Sequence, residues 1–270
     1  MQRLTTIHSF LNNEFALKKL QYLSDCENKY FRDLEPKLRA RIEDTELAVN
    51  ILDERCPQPV KFDIFRRLNT GGLPLNDQEI RNIMAQPGVR ILLREMASCE
   101  EFLCATNGGV KDIRMGAQEL CLRYLTILGY YDWDKRDFRE YRGLKKMMDR
   151  TILALNDMTE EELKKILIAF RRVMSDCYRI LGENSFCKPG QKKVNKSLFT
   201  GWAVIFTNRR PDAEIEEKNI EHLRDAYQRR LEYDTEFYNA ITSSTGTRKH
   251  IVISINRIRE LWEEYFDTIA

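Results

Sequence analysis

The chain has 270 residues, 43% hydrophobic and 32% charged, and its 44 basic and 42 acidic side chains leave a net charge of only +2. That is long and apolar enough for one large core or two small ones. It excludes a nucleic-acid argument from total charge, which would have to come from local clusters, and no apolar run approaches the roughly 18 residues that a membrane span needs.

Taken in chain order, the first clear pattern is Thr45 to Leu52. Leu47, Val49 and Ile51 alternate there with Glu46, Ala48 and Asn50, as in a half-buried strand. The run Phe65 to Asn82, FRRLNTGGLPLNDQEIRN, follows. Its Asn-Thr-Gly-Gly turn presents backbone N–H groups suited to an anion, and Gly71 and Gly72 let a ligand or another backbone come close. Asn76 or Asp77 caps a helix with Glu79 in its first turn. Gly108-Gly109 is a loop, and Ala117 to Leu128 is a helix with Leu120, Cys121, Tyr124, Leu125 and Leu128 on one stripe.

Asp137 to Asn156 is a further helix candidate. The clearest helix runs from Met158 to Gly182. Thr159 and Glu162 form a capping box, Leu163, Ile166, Leu167, Phe170, Val173, Met174, Cys177 and Leu181 make the stripe, and Gly182 stands at the C-terminal stop. Lys188 to Lys193 is a basic loop, read as a solvated surface turn rather than a phosphate contact. Lys196 to Thr207, Ile215 to Tyr233 and Ile251 to Thr268 complete the helices.

Seven cysteines, Cys26, Cys56, Cys99, Cys104, Cys121, Cys177 and Cys187, form no CxxC pair, which fits reduced thiols in a cytoplasmic protein. His8, His222 and His250 are isolated, so a His-Asn-His nuclease and a metal site are not expected. Glu162-Leu163-Lys164 has the acid-x-lysine order of restriction nucleases, but it lies within an amphipathic helix and reads as a solvated face. No Walker loop, serine elbow or dinucleotide fingerprint is present.

Within Phe65–Asn82, Ile64, Phe65, Leu68, Leu73, Leu75 and Ile80 read as core anchors. The polar set is Arg66, Arg67, Asn69, Gln78, Glu79 and Arg81. It forms either a binding element or a rigid turn, with Arg67 and Asn69 satisfying carbonyls and Gln78 and Glu79 pairing locally.

The run resembles the RLNTGG…L…QEIR signature of the GmrSD-type domain, the N-terminal module of modification-dependent restriction and phage-defence proteins. Met1 to Ile7, MQRLTTI, resembles the end of that family's DGQQRLTTL motif. Arg114, Glu119 and Arg123, then Ser197-Leu198-Phe199, then Thr247 to Arg257, follow in the family's order.

The resemblance implies a ParB/sulfiredoxin-like fold that binds and hydrolyses a nucleoside triphosphate, with or without Mg2+. In the family this is coupled to sensing DNA, often modified, and a separate nuclease domain or subunit cuts. Gln2 and Arg3 correspond to the catalytic motif; Arg67, Asn69, Thr70, Gly71, Gly72, Gln78, Glu79 and Arg81 correspond to the nucleotide-binding signature. Methionine stands at the motif's first glutamine and no Asp-Gly precedes it. A chain shortened at its N-terminus is therefore expected, and hydrolysis by it alone is not.

The resulting expectation is a mainly α protein: a truncated α/β nucleotide-binding core over residues 1–90, then a helical domain over 91–270. An oligomer and a DNA partner are compatible with it, and a membrane is not. The alternative function is a non-catalytic helical interaction protein in which the RLNTGG turn is structural.

Overall fold

The computed structural model of the chain describes residues 2–47, 49, 51, 55–57, 60, 64, 75–183, 186–209 and 217–266, the side chains of Gln2 and Arg3 excepted. It separates into two compact units, Met1–Glu54 and Arg55–Ala270. The division thus falls well before residue 90, where the sequence placed it.

The first unit contains helices α1 (Gln2–Leu11) and α2 (Pro36–Glu43), with 3-10 turns at Ser24–Cys26 and Phe31–Asp33. Its core is small: Phe10, Cys26, Phe31 and Leu34, flanked by Leu17, Leu20, Leu38 and Ile42. Phe10 meets Phe31 edge-on at 5.8 Å between ring centroids. Side chains substitute for regular structure in the connections. Glu27 accepts from the amides of Lys19 and Leu20, and Asn13 accepts from that of Arg32.

The strand expected at Thr45–Leu52 is not seen. Its described residues, Thr45 to Leu47, Val49 and Ile51, are irregular, and the three apolar ones are exposed. Alternation specifies a strand only where a neighbouring strand and a covering layer exist to use it. Among the described residues of 1–90 there is no strand, so the α/β core is not seen there either.

The second unit is helical: α3 (Asp77–Met84), α4 (Pro87–Ser98), α5 (Glu100–Ala105), α6 (Gly116–Tyr130), α7 (Leu144–Asn156), α8 (Glu160–Leu181), α9 (Lys196–Asn208), α10 (Glu217–Tyr233), α11 (Thr235–Thr242) and α12 (Arg248–Phe266). Its sheet is a two-residue hairpin, β1 (Tyr131–Asp132) antiparallel to β2 (Asp137–Phe138). That hairpin corrects the helix expected from Asp137. Tyr131 and Phe138 are paired across it with their rings edge-on, and α7 starts only after Gly143, whose φ is +90°. A residue with that backbone interrupts a right-handed helix.

The other helices start and stop close to where periodicity and caps put them. α8 carries the Thr159–Glu162 capping box and ends on Gly182 at φ +74°. Glu162 is committed to that cap, in keeping with the solvated-face reading of Glu162–Lys164. α12 begins at Arg248, three residues earlier than expected, and Asp134 to Arg136 form the hairpin turn.

One continuous core runs through the second unit. At its centre α9 packs against α6, α8 and α12. Every residue of its LFTGWAVIF stretch is buried. A helix that is apolar on all faces is stable only when surrounded, and this one organises the others around it. Among the described residues no helix is long and apolar enough to cross a membrane.

Candidate functional site

The described part of the RLNTGG…QEIR element is Leu75 onward; Arg67, Asn69, Thr70, Gly71 and Gly72 lie outside the described residues. Gln2 and Arg3 belong to the first unit, in α1. What the structure brings together is Gln78, Glu79 and Arg81, all buried on α3.

α3 begins with a complete capping box. Asn76 Oδ1 accepts from the Glu79 amide at 2.8 Å, and the Asn76 amide donates to Glu79 Oε2 at 2.7 Å. Asn76 Nδ2 also donates to the Arg114 carbonyl. Arg114 stands in a left-handed conformation, φ 52° and ψ 38°, in the turn before α6. From there its guanidinium engages both Glu79 oxygens, Nη2 to Oε2 at 2.6 Å and Nε to Oε1 at 3.2 Å. That bidentate pair is the main reason the Glu79 carboxyl is held below its usual range, with the Asn76 amide adding to it.

On the other side of α3, Arg81 is almost fully buried and reaches α7. Its Nε donates to Asp149 Oδ1 at 2.8 Å and its Nη2 to the Lys145 carbonyl at 3.3 Å. Lys145 in turn pairs with Asp77 at 2.5 Å. Arg81 Nη1 donates to Gln78 Oε1 at 3.4 Å. The Gln78 Nε2 amide, 2% exposed at the residue level, finds no acceptor among the described residues.

This geometry corrects the roles the spacing suggested. Glu79 is ionised and saturated by one cap and one guanidinium, so it cannot serve as a base without dismantling the start of α3. Arg81 is a strut between α3 and α7. Of the three, Gln78 alone retains an unused donor. Sequence reasoning missed Asp149 and Lys145, which lie four apart on one face of α7. Arg114 had been noted only through its place in a motif order.

A groove of about 260 Å³ lies elsewhere, between α4 and α8, lined by Gly88, Ile91, Leu92, Leu163 and Leu167 among others. It contains none of the predicted site residues. Among the described residues no three His, Cys, Asp or Glu side chains converge as a metal-binding set.

The depressed Glu79 carboxyl gives a signed expectation for pH. A carboxyl whose folded pKa is lowered contributes stability that is present above its unfolded pKa and lost as pH falls through the folded one. Glu79→Gln is expected to cost about 1 kcal/mol at neutral pH, through the cap and the ion pair. Urea unfolding of both proteins across pH should show the difference shrinking below about pH 4. A difference independent of pH would remove the charge from the explanation.

Comparison with protein-family models, curated proteins and solved structures yields no match.

Proposed function

We propose that the chain is a nucleotide-binding sensor module of GmrSD type, serving a modification-dependent restriction or phage-defence system. It would act on DNA together with a nuclease domain or subunit. The reading carries with it a ParB/sulfiredoxin-like α/β core over residues 1 to about 90.

The observation that supports it is the RLNTGG…QEIR run, joined to the rigidity of its second half. The capping box, the Glu79–Arg114 pair and the Arg81–Asp149 pair fix the start of α3. A fixed helix start is a suitable base for a preceding loop that must hold phosphate. In this division Arg67, Asn69, Thr70, Gly71 and Gly72 touch the nucleotide and Gln78 offers its unused amide. Glu79 and Arg81 position the loop instead of binding it, and Gln2 and Arg3 complete the motif.

The described residues do not fit Mg2+. Glu79 and Asp149, the carboxylates beside Gln78, are each held by a guanidinium. No hydrolytic step is derived.

A second reading has its own support in those same pairs. If α3 is clamped for stability alone, the turn is structural and the helical unit is an interaction module. Thermal unfolding with each nucleoside triphosphate separates the two. A ligand at a hundredfold its Kd adds about 2.7 kcal/mol of stability, and Arg67→Ala should abolish that gain while leaving the unliganded protein intact. Absence of any nucleotide effect at millimolar concentration favours the interaction module.

A further inference from the structure

Arg123 on α6 is 7% exposed, and no carboxylate is within ion-pair distance of it among the described residues. The nearest acid one turn away, Glu119, is committed to Lys196 at 2.9 Å. Arg123 Nη2 donates to the Thr245 carbonyl at 2.5 Å, while its Nε is buried without an acceptor. Burial lowers the guanidinium's pKa to about 10. A buried charge compensated by a single carbonyl is an unfavourable arrangement unless something else completes it.

Thr245 belongs to the short loop that leads into α12. That loop is anchored on several sides. The Thr247 amide donates to the Ser244 carbonyl and the His250 ring to that of Ser243. The Tyr141 hydroxyl donates to the Gly246 carbonyl. The same hydroxyl receives the first amide of α7, from Leu144.

The amides that open α12, those of Arg248, Lys249 and His250, have no acceptor among the described residues. Other helices of this unit are closed by a side chain: α3 by Asn76, α8 by Thr159, α9 by Asn195 and α11 by Asp234. α12 is a long helix, so its open end concentrates the positive pole of its dipole. Asp137, the carboxylate nearest that end, is neutralised by Arg248 through two bonds of 2.6 and 3.0 Å.

We propose that the loop Ser243–Thr247 forms a phosphate-binding site. The free amides of α12 and the guanidinium of Arg123 would hold one phosphate group, with Lys249 adding charge at the rim. A phosphate fits better than a carboxylate because its several oxygens can accept from amides and a guanidinium at once. The group is shared by free nucleotides and by a nucleic-acid backbone. The site is built by α6 and α12 and does not depend on the RLNTGG element.

The test uses the full chain and inorganic phosphate against chloride at matched ionic strength. Phosphate should raise the unfolding temperature and shift the amide resonances of Arg248, Lys249 and His250. Arg123→Met removes an unpaired buried charge, so the variant should fold, and its phosphate affinity should fall roughly tenfold or more. Thr247→Asp places a carboxylate on the same amides and should abolish the response even if Arg123→Met fails to fold. Arg67→Ala should leave the response unchanged, which separates this site from the nucleotide element. A nucleoside triphosphate and a short DNA duplex then identify the source, by which of them competes with phosphate. An unchanged response in Thr247→Asp, or one lost only in Arg67→Ala, overturns the proposal.

Discussion

Arg81→Ala is expected to lower the unfolding free energy by about 3–5 kcal/mol, the usual cost of leaving one partner of a buried pair behind. Arg81 is 2% exposed and Asp149 is 15% exposed, and their Nε–Oδ1 contact is 2.8 Å. Removing the guanidinium leaves Asp149 half of its pair and opens a cavity between α3 and α7. Replacing both partners, as in Arg81→Met with Asp149→Leu, should recover most of the loss, because a packed apolar pair needs no solvation. α3 is a short helix at the margin of the unit, so part of the effect should appear as local opening. Hydrogen exchange would then show α3 amides unprotected while α9 and α12 stay protected. A loss under about 1 kcal/mol with α3 still protected would mean that Arg81 is no strut. Arg81 would then be available for ligand, as its place in the motif implied.

That experiment bears on what a sequence makes visible. The start of α3 was legible because its device is local: Asn76 and Glu79 are three residues apart and satisfy each other's backbone groups. The same holds for Thr159 and Glu162 in α8. The fate of Arg81 was not legible, since its partner Asp149 is 68 residues away on a helix whose relation to α3 is a property of the packing. Arg114 likewise reaches Glu79 across 35 residues. Local patterns also misled. The Leu47, Val49 and Ile51 alternation has no sheet around it among the described residues, and Asp137–Phe138 joined a hairpin that its own neighbourhood did not announce. A polar residue in a motif therefore carries two readings until its partner is known, and for Glu79 and Arg81 the partner decides for positioning.

Trp202→Ala should be the most damaging single change in the core, costing about 3–5 kcal/mol. In a unit of this size that corresponds to a fall in unfolding temperature on the order of 10 °C. The indole is fully buried on α9, stacked on Phe206 at 5.7 Å and edge-on to Tyr227 of α10 at 5.2 Å. Phe206 continues the contact to Trp262 of α12 at 5.2 Å. Gly201, one residue before, lets α12 come close, since a Cβ there would overlap Ile258 Cδ1. A cavity at Trp202 therefore removes contacts from three helices at once and leaves no neighbour free to collapse into it. Calorimetry should show one cooperative transition at the lower temperature, with loss of protection throughout α9, α10 and α12. The contrast with Arg81→Ala is the informative part. Were Trp202→Ala to loosen only α9 while α10 and α12 stayed protected, the second unit would not have the single core that its packing implies. The α12 loop and the α3 clamp could then no longer be treated as features of one scaffold.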